Sequence, residues 1–97
     1  MILAELAIFP TSEGASVSRY VKEMVYILEQ SGIGTKTGAM STVLEASSLD
    51  DIMRVVKKCH DTLAHMGVKR IHIDLRIDHR LDKDATMESK LKSIGKD

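Results

Sequence analysis

Thr35–Ala46 reads TKTGAMSTVLEA, and the fold turns on whether this stretch is one element or two. Threonine, valine and leucine favour extended chain, and the glycine-led run Gly38–Ser41 interrupts them in the middle. The pattern predicts two short strands around a turn at Gly38–Ser41. In the second strand Thr42 and Leu44 share one face, while Val43 and Glu45 share the other. Four hydroxyl side chains and a carboxylate leave two readings open here. One is a solvated hairpin whose threonines serve strand propensity. The other is the floor of a binding site, with Glu45 accepting from an amine or a ring edge.

On the N-terminal side, ILAELAIF alternates, with Ile2, Ala4, Leu6 and Ile8 on one face and Leu3, Glu5, Ala7 and Phe9 on the other. Pro10 ends that strand because it has no N–H for the ladder. Between Val17 and Ser31 the apolar residues Val17, Val21, Met24 and Leu28 recur at helical spacing. Ser16 or Ser18 is the expected cap, and Gly32 stands at the far end. After the hairpin, Ser48 and Asp51 open a second helix with the stripe Leu49, Ile52, Val56, Cys59, Leu63 and Met66, closed by Gly67. KRIHIDLRID is a strand with Ile71, Ile73, Leu75 and Ile77 inward. Met87, Leu91 and Ile94 mark a short third helix between Asp84 and Gly95.

The order β-α-β-β-α-β plus a terminal helix predicts an α+β, ferredoxin-like fold. Two helices cover one face of a four-stranded antiparallel sheet of order 4-1-3-2. All 97 residues are expected to form a single domain. The opposite sheet face carries Leu3, Ala7 and Phe9, and an apolar patch of that kind marks an interface. A homo-oligomer packed sheet to sheet is expected, with Glu5 and Arg76 pairing inside it; the alternative is that the terminal helix folds over the patch.

Fourteen basic residues balance fourteen acidic ones, so no net field attracts nucleic acid or an anionic membrane. The single cysteine, Cys59, suits a reducing cytoplasm, and its place on an apolar stripe suits a buried hydrophobe. No run of about 18 apolar residues predicts a membrane helix. His60 and His65 are five apart, off the i, i+4 spacing that shares a metal ion, and His72 with Asp74 supplies only two ligands. No metal or cofactor is expected. The run GIGTKTG leaves a helix and enters a strand, the reverse of a phosphate loop. Arg76, Asp78, His79 and Arg80 form either a solvated strand end or a polar cluster for a ligand or neighbouring subunit. Ser18 caps the first helix, and Tyr20, between core positions, is available to stack on a flat ligand.

MSTVLEA before a capped helix, VKRIHIDLRIDHR after it, and SVSRYV opening the first helix together resemble the small thiamine-binding proteins of the YkoF-like superfamily. The resemblance runs from about residue 2 to residue 94, and it rests on the order and spacing of the motifs. It implies a cytoplasmic, non-catalytic protein that binds thiamine or its hydroxymethylpyrimidine half, as a homo-oligomer built as a dimer of dimers. Carried over position by position, it implies ligand-binding roles for Ser18, Tyr20, Met40, Thr42, Glu45, Arg76, Asp78 and Arg80. In the family pattern proline and glycine flank the methionine, where this chain has Ala39 and Ser41. Glycine follows the glutamate, where Ala46 stands here, and lysine commonly occupies the position of Arg76. Added side chains close to the ligand floor are expected to narrow the pocket or change its preference. The alternative is a regulatory or scaffolding oligomer whose polar strand ends make subunit contacts. An acylphosphatase is set aside, because TSEGASVSR lacks that enzyme's glycine-rich arginine loop.

Overall fold

The computed structural model describes residues 1–96. Seven elements follow one another: β1 (Ile2–Pro10), α1 (Ser18–Glu29), β2 (Gly34–Thr37), β3 (Thr42–Ala46), α2 (Leu49–His65), β4 (Ile71–Asp78) and α3 (Met87–Ser93). The strands form one antiparallel sheet in the order β2-β3-β1-β4, which is the expected 4-1-3-2 read from the other edge. The four-stranded ferredoxin-like arrangement expected from the alternation is therefore the observed one.

Strand register sorts the side chains. Ile2, Ala4 and Leu6 of β1 lie opposite Ala46, Leu44 and Thr42 of β3, and all six are buried beneath α1 and α2. Leu3 and Glu5 lie opposite Glu45 and Val43 on the other side, the open face. The core is a single cluster between sheet and helices, with Met24, Leu28, Ile52, Val55, Cys59 and Leu63 contributed from above. Burial also pushes the Cys59 thiol up to about 11, so it stays protonated and inert as a small hydrophobe.

Local signals decide most boundaries. Ser48 Oγ accepts the Asp51 N–H at 3.1 Å and opens α2. Gly67 ends it with φ +85°, a left-handed conformation, while Val68 N–H reaches back to the Leu63 carbonyl. Thr86 and Ser89 cap α3 reciprocally. Thr11 N–H donates to Arg70 O, which carries the β1–β4 pairing one residue past Pro10.

Three expectations shift. Neither Ser16 nor Ser18 caps α1; Val17 is the cap residue, and its carbonyl takes the N–H groups of Tyr20 and Val21. The buried stripe of α1 is Tyr20, Met24, Ile27 and Leu28, spaced i, i+4, i+7, i+8, so Val21 turns out of the core. On β4, Ile73 and Ile77 do face the helices, yet both stay partly open, because β4 is an edge strand of the sheet.

Because Leu44 is fully buried at the centre of this cluster, Leu44→Ala should destabilise the protein by about 2–5 kcal/mol. A urea melt measures it, and an unchanged midpoint would contradict the packing described.

Candidate ligand-binding site

The displaced stripe of α1 has a consequence for the surface. Val17, Val21 and Val25, spaced four apart, line the side of α1 next to the β2–β3 turn, and Val17 also packs against the core. Between them and the hairpin lies a slot of about 320 Å³, floored by Leu6–Phe9 of β1. Its other wall is the turn itself, Gly38–Thr42. The turn is closed by Gly38 N–H donating to Ser41 O at 2.8 Å.

The slot is apolar except for hydroxyls. Thr42 is the buried polar side chain of the core layer, 4% exposed, and it lines the slot from β3. Among the described residues its Oγ1 takes part in no side-chain hydrogen bond, while no enclosed side-chain nitrogen or oxygen lacks a partner. The Thr42 hydroxyl therefore opens into the slot. No lining side chain titrates. Met40, on the turn, is 89% exposed and stands at the rim.

The eight residues singled out by resemblance do not converge within one chain. Met40 and Thr42 line the slot. Ser18 is exposed in the first turn of α1. Tyr20 is buried: its hydroxyl donates to Glu13 Oε1 at 2.8 Å, and the Arg19 guanidinium sits 4.6 Å from its ring centroid. That face is therefore occupied, and a ligand does not find it free for stacking. The Tyr20 hydroxyl, with Ser12 behind it, holds the Glu13 carboxyl below the usual carboxylate range.

Glu45, Arg76 and Asp78 lie on the open face, the far side of the sheet from Thr42. Thr42 and Glu45 are three residues apart, and an odd spacing on a strand points side chains to opposite faces. A joint grip of one ring by these two residues is thus excluded within a single chain. Glu45 Oε1 instead accepts the Met87 N–H at 2.7 Å, at the start of α3. Asp78 pairs with Lys90 of α3 at 2.6 Å. Glu45 and Asp78 are the two register partners of Leu3, so α3 bridges over Leu3, which is only 6% exposed. The terminal helix thus covers that end of the open face. Ala7, Phe9 and Val43 stay partly exposed beyond it, and Phe9 stacks on its cross-strand partner His72 at 4.9 Å. Glu5 faces Arg76 in register but gives its carboxylate to Ser41 Oγ. Arg80 turns back onto Asp82.

Two of the four histidines go to local acceptors: His60 meets Asp61, and His65 meets the Asp61 carbonyl. Among the described residues, no three His, Cys, Asp or Glu side chains gather as metal ligands, and no helix is long and apolar enough to cross a membrane.

Sequence reasoning missed the roles of Val21, Val25 and Ser41. A valine pair four apart on an over-wide stripe was the signal for the first two; Ser41 carried none.

The sequence profile of the thiamine-binding protein family matches residues 4–95. The UPF0045 protein MJ1052 of Methanocaldococcus jannaschii is 43% identical over 94 residues, covering 97% of this chain and 92% of that protein. Its crystal structure superposes with a TM-score of 0.88 over 97% of this chain and 95% of that one, at 42% identity. The UPF0045 protein YqgV of Bacillus subtilis is 35% identical over 101 residues, covering 99% of this chain and 96% of its own. A Thermotoga maritima protein provisionally assigned to thiamine biosynthesis or salvage shares the fold, with a TM-score of 0.82 at 20% identity, over 96% of this chain and 97% of that one.

The α3 tie has a pH signature. Lys90, by hydrogen bond and then by charge, holds the Asp78 carboxyl below its ordinary value. With the folded value depressed, the tie is present above the ordinary aspartate range and is lost as pH falls through the folded value. NMR titration should place the Asp78 midpoint below that of a free aspartate, and Lys90→Ala should return it. Equal midpoints in the two proteins would contradict the pairing.

Proposed function

The chain belongs to the thiamine-binding protein family, and we propose that it binds thiamine, or the hydroxymethylpyrimidine half of thiamine, without catalysing a reaction. The observation that carries this reading is Thr42, a buried hydroxyl open to an otherwise apolar slot. Among the described residues no protein side chain takes the Thr42 hydroxyl, so it is free to bond a molecule held in the slot. About 320 Å³ lies at the lower end of the usual range for small-molecule pockets, roughly 300–1,000 Å³. That space suits one flat ring, with the rest of the ligand projecting past Met40.

The aminopyrimidine ring has apolar faces and a hydrogen-bonding edge. The valines of α1 and the floor of β1 take the faces, and the hydroxyls of Thr42 and Thr37 take the edge. Met40, flexible and polarizable, folds over the open side. The lining offers hydroxyls but no side-chain acid or base to activate them, which favours binding over catalysis.

Glu45, Arg76, Asp78 and Arg80 then belong to a second task. Glu45, Arg76 and Asp78 share the open face with the partly exposed Ala7, Phe9 and Val43, and Arg80 follows at the end of β4; we assign this face to contacts in a cytoplasmic homo-oligomer. The scaffolding alternative draws on the same observation, because these polar residues stand apart from the slot.

Isothermal titration with thiamine and with hydroxymethylpyrimidine tests the reading. Saturable binding is expected for both. Thr42→Val, which keeps the shape and removes the hydroxyl, should weaken it about ten-fold. Glu45→Ala should leave affinity within about three-fold. No heat with either compound, from protein freed of any ligand, would overturn it.

A further inference from the structure

Rigid structure bounds only one side of the slot. The α1 wall is anchored through Met24 and Leu28, both buried. The opposite wall is the turn Gly38–Ser41, whose residues are exposed or half exposed. Two hydrogen bonds hold that turn. One is internal, from Gly38 N–H to Ser41 O. The other leaves the hairpin: Ser41 Oγ donates to Glu5 Oε2 at 2.9 Å.

Glu5 is on β1, opposite Val43 in register, and it points to the open face. Ser41, two residues before Val43, is in step with the open-face residues, so the bond holds from the open face the end of a loop that walls the near side. Arg76 lies directly across β4 from Glu5, without taking its carboxylate.

We propose that Glu5 and Ser41 form a latch that sets the width of the ligand slot, with Glu5 acting as a positioning residue from the opposite face. The proposal rests on the slot being the ligand site. It adds that anything on the open face that takes the Glu5 carboxylate releases the turn and loosens the slot. Arg76 is the nearest such competitor in register. A loop with one internal bond and exposed backbone has low local stability, so loss of one anchor is expressed there and not in the core.

The test uses the full chain and four variants: Ser41→Ala, Glu5→Ala, their double, and Glu5→Gln. Water-exchange NMR at the Gly38 amide reports the turn without any ligand. Either single alanine variant should speed that exchange about three- to ten-fold. The double should go no further than the singles, because both remove the same bond. Glu5→Gln keeps an accepting oxygen and should exchange at the wild-type rate. Thiamine affinity should fall by a similar factor in the alanine variants and recover in Glu5→Gln, with melting temperature unchanged in all four. Wild-type exchange in Ser41→Ala, or additive effects in the double, would overturn the latch. If wild-type protein binds no thiamine, the family-based reading of the slot fails, and the exchange arm still decides the latch.

Discussion

Alternation along β3 is the constraint on which the rest of this structure depends. Thr42, Leu44 and Ala46 point beneath the helices, and Val43 and Glu45 point away. Pairing with β1 fixes that choice, because a slip of one residue would put Glu45 into the core and Leu44 into water. With the register set, Thr42 arrives in the hairpin wall of the slot and Glu45 arrives where α3 begins. One strand of five residues therefore serves two separate sites.

The two faces have different physical characters. On the helix side, packing of α1 through Tyr20, Met24, Ile27 and Leu28 leaves a valine edge looking at the hairpin, and the gap between them is the slot. It is apolar, with hydroxyls as its polar groups. On the open side, three carboxylates are tied: Glu45 by the backbone of α3, Asp78 by Lys90, and Glu5 by Ser41. A helix of seven residues has little stability of its own, so these ties, with the cover over Leu3, hold α3 in place. The Glu5–Ser41 hydrogen bond links this charged layer to the wall of the slot.

Much of this was legible in the sequence because its signals are local. Strand alternation in Ile2–Phe9 and Ile71–Asp78, the Ser48 cap and the left-handed Gly67 each act within a few residues, and each is where the pattern put it. The sheet order followed from those elements and from chain handedness. What escaped depended on contacts distant in sequence. The face that α1 buries is chosen by what it packs against, so Tyr20 went in and Val21 came out. The carboxylate of Glu45 is claimed by Met87, 42 residues later, and no spacing rule announces that. Resemblance supplied the ligand class and a set of residues; only the fold shows that Met40 and Thr42 separate from Glu45, Arg76 and Asp78.

Binding of a ring between α1 and the hairpin, on the Thr42 side of the sheet, is tested most directly by methyl NMR of the protein titrated with thiamine. The predicted result is saturable shifts at Val21, Val25 and Met40, with Val43 and Leu91 on the open side unmoved. Shifts confined to Val43 and Leu91 would contradict it.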